Sequence, residues 1–158
     1  MTAGRLSLLA LFIAISVLGG FIKIPAIVGS IALDLFPALM AAIYLGRNSG
    51  ALVGAFGHLA SAMIGGLSLG PLHLLIALFM AIIVYFFEIL YTKSLSLIAG
   101  LFVLIANTLL APLPMIYFFS SKFYIALLPP LFVGSLVNIA IALLLIPWFR
   151  PIFERISK

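Results

Sequence analysis

Apolar residues fill this chain in long blocks, and what separates them is short: small clusters of polar residues, glycine and proline. Reading the punctuation gives apolar segments at about 6–20, 34–46, 51–66, 71–91, 95–111 and 129–148. A helix needs about 20 apolar residues to cross a bilayer, so the pattern predicts six spans, with 34–46 short for a full crossing. The breaks carry turn chemistry. A loop at 21–33 holds Lys23, Pro25, Gly29 and Ser30, and Arg47-Asn48-Ser49-Gly50 forms the next turn. Residues 67–70 lead into Pro71, a residue suited to the first turn of a helix because its missing N–H is no loss there. Thr92-Lys93-Ser94 makes another turn, Pro112 and Pro114 end the fifth segment, 120–124 reads as a polar loop, and a basic tail follows Trp148.

Composition fixes the class. Of 158 residues, 66% are apolar and 7% charged, against about 45–50% and about 25% in an ordinary soluble domain. Such a chain cannot cover itself with polar surface. The expected fold is an all-α integral membrane protein, a single six-helix domain over 1–158, and the length leaves no room for a multi-domain enzyme. The net charge of +5 is topology rather than a nucleic-acid footprint, because Lys and Arg collect on cytoplasmic loops. With the N-terminus inside, Arg5, Arg47, Lys93, Arg150, Arg155 and Lys158 fall inside and only Lys23 and Lys122 outside. Both termini are therefore expected to be cytoplasmic. Trp148, Tyr91 and Tyr124 fall near predicted span ends, as an aromatic belt requires. Arg5 ahead of an apolar run imitates a signal peptide, but no small-x-small site ends the run, so it is read as a retained span. Cysteine is absent, which removes disulfide and thiolate chemistry.

Small residues mark helix contacts in a membrane, where close approach replaces the hydrophobic drive. Ala3, Ser7, Ala10 and Ala14 share one face of the first segment; Gly50, Gly54, Gly57 and Ser61 share one face of the third. The third-segment stripe is read as packing inside the bundle. The first-segment stripe fits internal packing or an outside partner. Ser16-Val-Leu-Gly-Gly and Ser61-Ala-Met-Ile-Gly-Gly look alike, a resemblance too slight to imply a duplicated fold.

Polar groups inside a membrane are costly and tend to be functional. They are Lys23, Asp34, His58, His73, Glu88, Asn107 and Asn138. Glu88 lies near the inner end of the fourth segment and is expected to pair with Arg47, Lys93 or Arg150. The others map to the outer half or mid-depth of the bundle, which points to one cavity there. Lys23 and Asp34 cancel in charge, so the cavity suits a neutral or zwitterionic ligand. Each residue also has a plainer role: Asp34 as a helix N-cap, Lys23 as a snorkelling residue, His58 bonded to a backbone carbonyl, His73 at the interface, and Asn107 and Asn138 bonded to each other.

The chain carries no G-x-x-x-x-G-K-[ST], H-E-x-x-H or G-x-S-x-G. His58 and His73 have no convincing third ligand for zinc, and Asp34 and Glu88 fall on opposite sides of the membrane, where they cannot act as a pair. The expectation is a non-enzyme without metal or cofactor.

These residues resemble a known family over nearly the whole chain. The size, the segment count, Ala10-x-x-x-Ala14 and a first outer loop running into Asp34 and Pro37 are similar to the substrate-binding S-components of energy-coupling factor (ECF) vitamin transporters. Phe21-Ile-Lys-Ile-Pro25, Gly29-Ser-Ile-Ala-Leu-Asp34, Gly50-Ala-Leu-Val-Gly54 with Gly57-His58-Leu59, and Gly70-Pro-Leu-His-Leu-Leu-Ile-Ala77 look most like S-components assigned to α-ribazole, a cobalamin precursor. The resemblance implies ligand capture on the outer side of a bacterial cell membrane by Lys23, Asp34, His58, His73, Asn107 and Asn138, with Phe21, Tyr117 or Phe119 stacking on the base. It implies docking through Ala10 and Ala14 to a transmembrane coupling subunit with two ATPase subunits, and release inward by toppling. Other vitamins (pantothenate, riboflavin, thiamine, a pyrimidine or queuosine precursor) remain open as ligands. So does a structural membrane subunit that binds none.

Overall fold

The computed structural model describes residues 3–25 and 30–156, without the side chains of 23–25, 30, 31 and 156. Helix α1 (Ala3–Phe21) is followed by two short strands, β1 (Lys23–Pro25) and β2 (Ser30–Ala32), and then by α2 (Leu35–Leu45) and α3 (Arg47–Ile64). Helix α4 (Leu72–Thr92), α5 (Ser96–Ile105), the short α6 (Met115–Phe118) and α7 (Ser121–Ile156) complete the bundle. Among the described residues, four stretches are long and apolar enough to cross a membrane: Ala3–Phe21, Leu72–Thr92, Ser96–Phe118 and Ser121–Arg155.

The outward faces of these helices are apolar as well as the inward ones. On α1, Leu9, Phe12 and Ser16 are buried while Leu6, Leu11 and Leu18 are exposed. Water would penalise so much contiguous apolar surface, whereas lipid tails match it.

Helix α2 is the hub. Its 11 residues span only about 16 Å at about 1.5 Å per residue. Nearly every one is buried, among them Leu35, Ala38, Leu39, Ala41 and Ala42. A helix buried at both ends leaves N–H and C=O groups without partners, and here two other helices supply them. At the N-terminus, Asn138 of α7 accepts from the backbone N–H of Leu35 (3.1 Å) and of Phe36 (2.9 Å) through Oδ1. At the C-terminus, the Arg5 guanidinium of α1 donates to Leu45 O at 2.5 Å, placing a cation at the negative end of the helix. Asp34 holds the N-cap position but makes no capping bond, so Asn138 performs the role that the sequence assigns to Asp34. Gly46, at φ 85°, turns the chain directly into α3 with a backbone conformation that costs glycine little.

The small residues of α3 lie against three helices at once. A methyl on Gly50 would strike Ala42 of α2, one on Gly54 would come within 3.1 Å of Val84 in α4, and one on Gly57 within 2.8 Å of Ser16 Cβ in α1. A methyl on Gly20 would in turn lie 2.8 Å from Ser61. The stripe is internal packing, and the two similar Ser/Gly segments meet face to face.

Two expectations are corrected. Residues 120–124 are not a loop: Ser120 Oγ accepts from the N–H of Phe123 at 3.1 Å, and α7 starts at Ser121 rather than Pro129. The polar residues are the cap and first turn of the helix, a favoured place for serine. Glu88 forms no ion pair with Arg47, Lys93 or Arg150 among the described residues; Arg47 lies over the Tyr85 ring instead, 5.3 Å from its centroid.

The start of α1, the end of α2 and the end of α7 meet at one end of the bundle. There Phe153 stacks on Tyr44 at 4.0 Å and on Phe12 at 5.9 Å, and the Tyr44 hydroxyl donates to Ile146 O. The β1–β2 hairpin, antiparallel with Ile24 opposite Ile31, lies at the start of α2, at the other end.

Candidate ligand cavity

At the hairpin end the bundle holds a cavity of about 620 Å³ that opens to one side. Its walls come from the start of α2, the second half of α3, the α3–α4 loop, the first half of α4, the chain around α6 and the first half of α7. Most of the lining is apolar, with Leu35, Ile76, Met80, Met115, Leu127 and Leu131 among it. Asp34, His58, His73, Asn107 and Asn138, all separate in sequence, line it together with Ser61, Ser68 and Ser135. An apolar pocket with a few placed polar groups has the general form of a small-molecule site.

Local backbone geometry positions each of these groups. Asp34 is buried, and its carbonyl accepts from Ser16 Oγ at 2.5 Å, which bolts the segment to α1. Leu33 N–H reinforces the joint by donating to Gly19 O at 3.1 Å. Asn107 sits in a five-residue π-helical stretch, Ala106–Leu110, between α5 and the Pro112–Pro114 break. Such wide turns shift the helix phase and often accompany functional sites. Its Nδ2 donates to Ser135 Oγ at 2.8 Å. The two asparagines therefore do not bond each other. Asn138 instead spends its second amide group on Ala32 O and Gly134 O, both at 2.9 Å. With two bonds accepted and two donated, its capacity is full. Asn138 lines the cavity, but it holds the wall together rather than offering a free group.

His58 of α3 and His73 of α4 face each other, with His73 Nδ1 3.3 Å from His58 Nε2 and ring centroids 5.4 Å apart. No backbone carbonyl partners His58 among the described residues, unlike the plainer role read from sequence. Among the described residues no third His, Cys, Asp or Glu completes a metal cluster with them.

Two predicted aromatic contacts lie elsewhere. Phe21 is 61% exposed at the end of α1, and Tyr117 is 90% exposed beside a separate apolar groove with Phe79 and Leu113. The break at Pro112 and Pro114 rotates the chain so that Phe119, two residues after Tyr117, faces the cavity instead. Phe119 stacks on Phe123 at 4.7 Å and 29°, and both line the cavity. The sequence reading missed Phe123 and Ser135. A four-residue step from Phe119 and a three-residue step to Asn138 were the available signals. The side chain of Lys23 and all of Gly29 lie outside the described residues. Ala10 and Ala14 are both exposed on α1, on the face away from its buried Phe12 and Ser16.

Residues 5–148 match the family model described as ECF transporter, substrate-specific component. The chain belongs to that family. It is therefore the substrate-specific component of a transporter, a subunit of a multi-pass membrane assembly rather than a member of an enzyme family. The family implies a small-molecule substrate and an ECF module to work with. No curated protein matches the sequence significantly.

Proposed function

We propose that this S-component captures a vitamin-like small molecule in the cavity at the hairpin end, and that the ligand is α-ribazole. The observation that carries the reading is the convergence of Asp34, His58, His73 and Asn107 on one cavity beside the stacked Phe119 and Phe123. α-Ribazole pairs an apolar, flat dimethylbenzimidazole with a hydroxyl-rich ribose. The aromatic pair and the methionines suit the base. Asp34 accepts from hydroxyls, and the amide oxygen of Asn107 does the same.

The whole chain acts as one domain with six spans and both termini cytoplasmic, which puts the cavity on the outer side of a bacterial membrane. The charge split between the two ends supports this orientation, as does the meeting of α1, α2 and α7 at the opposite end. The exposed Ala10 and Ala14 allow a partner helix to approach closely, which suits docking of the coupling subunit that carries the two ATPase subunits. Toppling of the docked S-component would then turn the cavity inward. The chain holds no phosphate-binding loop of its own, so the energy must come from the partner.

Titration calorimetry on the purified protein tests the ligand, with α-ribazole run against riboflavin, thiamine, pantothenate, biotin and cobalamin. Submicromolar binding of α-ribazole alone supports the reading. Tight binding of another member reassigns the ligand and keeps the cavity. No binding across the panel removes the ligand assignment and makes mass spectrometry of co-purified small molecules the next step.

A further inference from the structure

The α3–α4 loop has an unusual backbone: Gly66, Leu67 and Gly70 take φ values of 83°, 49° and 54°. Left-handed geometry is uncommon for leucine, so the loop is held in shape by its contacts. Leu67 N–H donates to Ala62 O at 2.9 Å and Gly70 N–H to Leu67 O at 2.7 Å. Leu69 N–H turns to a side chain instead and donates to His73 Nε2 at 3.3 Å.

That one bond fixes a direction. A backbone N–H can only donate, so His73 Nε2 must carry a lone pair. Neutral imidazole has one protonated and one bare nitrogen, which puts the proton of His73 on Nδ1. Nδ1 faces His58 Nε2, so that atom accepts and the proton of His58 sits on its own Nδ1. Protonating either ring would set two N–H groups against each other, so the relay needs both rings neutral.

We infer that Leu69, His73 and His58 form a one-way hydrogen-bond relay that presents His58 Nδ1–H as a donor to the bound molecule, selecting a ligand with a lone pair at that place. Among the described residues, His58 Nδ1 is the one polar ring atom of the pair left without a partner, and His58 lines the cavity. The inference rests on the reading of this cavity as the ligand site and deepens it. The ligand must carry an acceptor for His58, such as an imine nitrogen, a carbonyl or an ether oxygen. His73 is a positioning residue, since it acts through His58. A bare cation or a ligand with donors alone would leave His58 Nδ1–H unpaired, and a buried donor without a partner is penalised.

The chain has only two histidines, so nitrogen-15 NMR of histidine-labelled protein in micelles reads the relay directly. In the ligand-free protein both rings should be Nδ1–H tautomers. In His73→Phe, His58 should lose that preference and populate Nε2–H. An Nε2–H tautomer at either histidine in the wild type, or a His58 signal that His73→Phe leaves unchanged, overturns the relay. Adding α-ribazole should then shift His58 Nδ1. Calorimetric binding without that shift overturns the donor role, whereas no calorimetric binding overturns the ligand assignment and leaves the relay to stand or fall on the ligand-free spectra.

Discussion

Replacing Asn138 with alanine tests how the cavity wall is held. The substitution removes the acceptor for Leu35 N–H and Phe36 N–H and the donor to Ala32 O. The fourth bond, to Gly134 O, matters less, because that carbonyl lies one turn back and is the helical partner of residue 138. Three bonds between elements are therefore lost. In membrane proteins such bonds average about 0.6 kcal/mol each, which gives about 2 kcal/mol. Leaving the same three groups buried without any partner would cost at least about 3 kcal/mol. The lower figure fits better, since the residue borders a cavity that admits water. At about 2–4 °C per kcal/mol for a chain of this size, Asn138→Ala should lower Tm by about 4–8 °C, read by circular dichroism in detergent. Hydrogen exchange separates this from general loosening: the amides of Leu35 and Phe36 should exchange faster, while those around Val84 in the α3–α4 contact should not. An unchanged Tm with unchanged exchange at Leu35 and Phe36 refutes the idea that α7 caps α2.

Gly57→Ala should destabilise by about 1–3 kcal/mol, the usual range for overpacking, because its methyl collides with Ser16, whose hydroxyl holds Asp34; the double variant with Ser16→Ala should recover part of the loss in a thermal melt. Thr108 Oγ1 is buried with no partner among the described residues, so Thr108→Val should leave Tm unchanged or raise it. A fall of several degrees would show that the hydroxyl has a partner. Ala14→Trp should abolish ATP-dependent uptake in vesicles carrying the full transporter and leave equilibrium binding intact; loss of binding as well would assign Ala14 to internal packing.

Much of the arrangement could be read from residue order, for identifiable reasons. Turn chemistry at 67–71 and 92–94 locates the end of α3 and both ends of α4 to within a few residues, because glycine, proline and polar runs do not continue an apolar helix; at 47–50 it misplaced the start of α3, whose first turn is Arg47-Asn48-Ser49-Gly50 itself. Asp34, His58, His73 and Asn107 could be grouped by depth alone, since alternating spans carry the same distance from each turn to the same level. Helix phase was harder. Lipid is as apolar as the core, so Leu11, exposed, and Phe12, buried, look alike in sequence. The π-helical stretch at Ala106–Leu110 and the Pro112–Pro114 break shift the phase again, which is why Tyr117 turns away from the cavity and Phe119 turns in. Asn138 was hard for another reason: its partners lie about a hundred positions earlier, and nothing local reveals that its amide serves the start of α2.

The central claim is that the cavity around Asp34 is the ligand site. It is tested most directly by measuring the affinity of the tightest-binding panel compound for the wild type, Asp34→Ala and Tyr117→Ala. Asp34→Ala should weaken binding at least tenfold, about 1.4 kcal/mol, while Tyr117→Ala, altered in the outer groove, should bind like the wild type. Unchanged affinity in Asp34→Ala together with a loss in Tyr117→Ala would move the site out of the cavity and contradict the account.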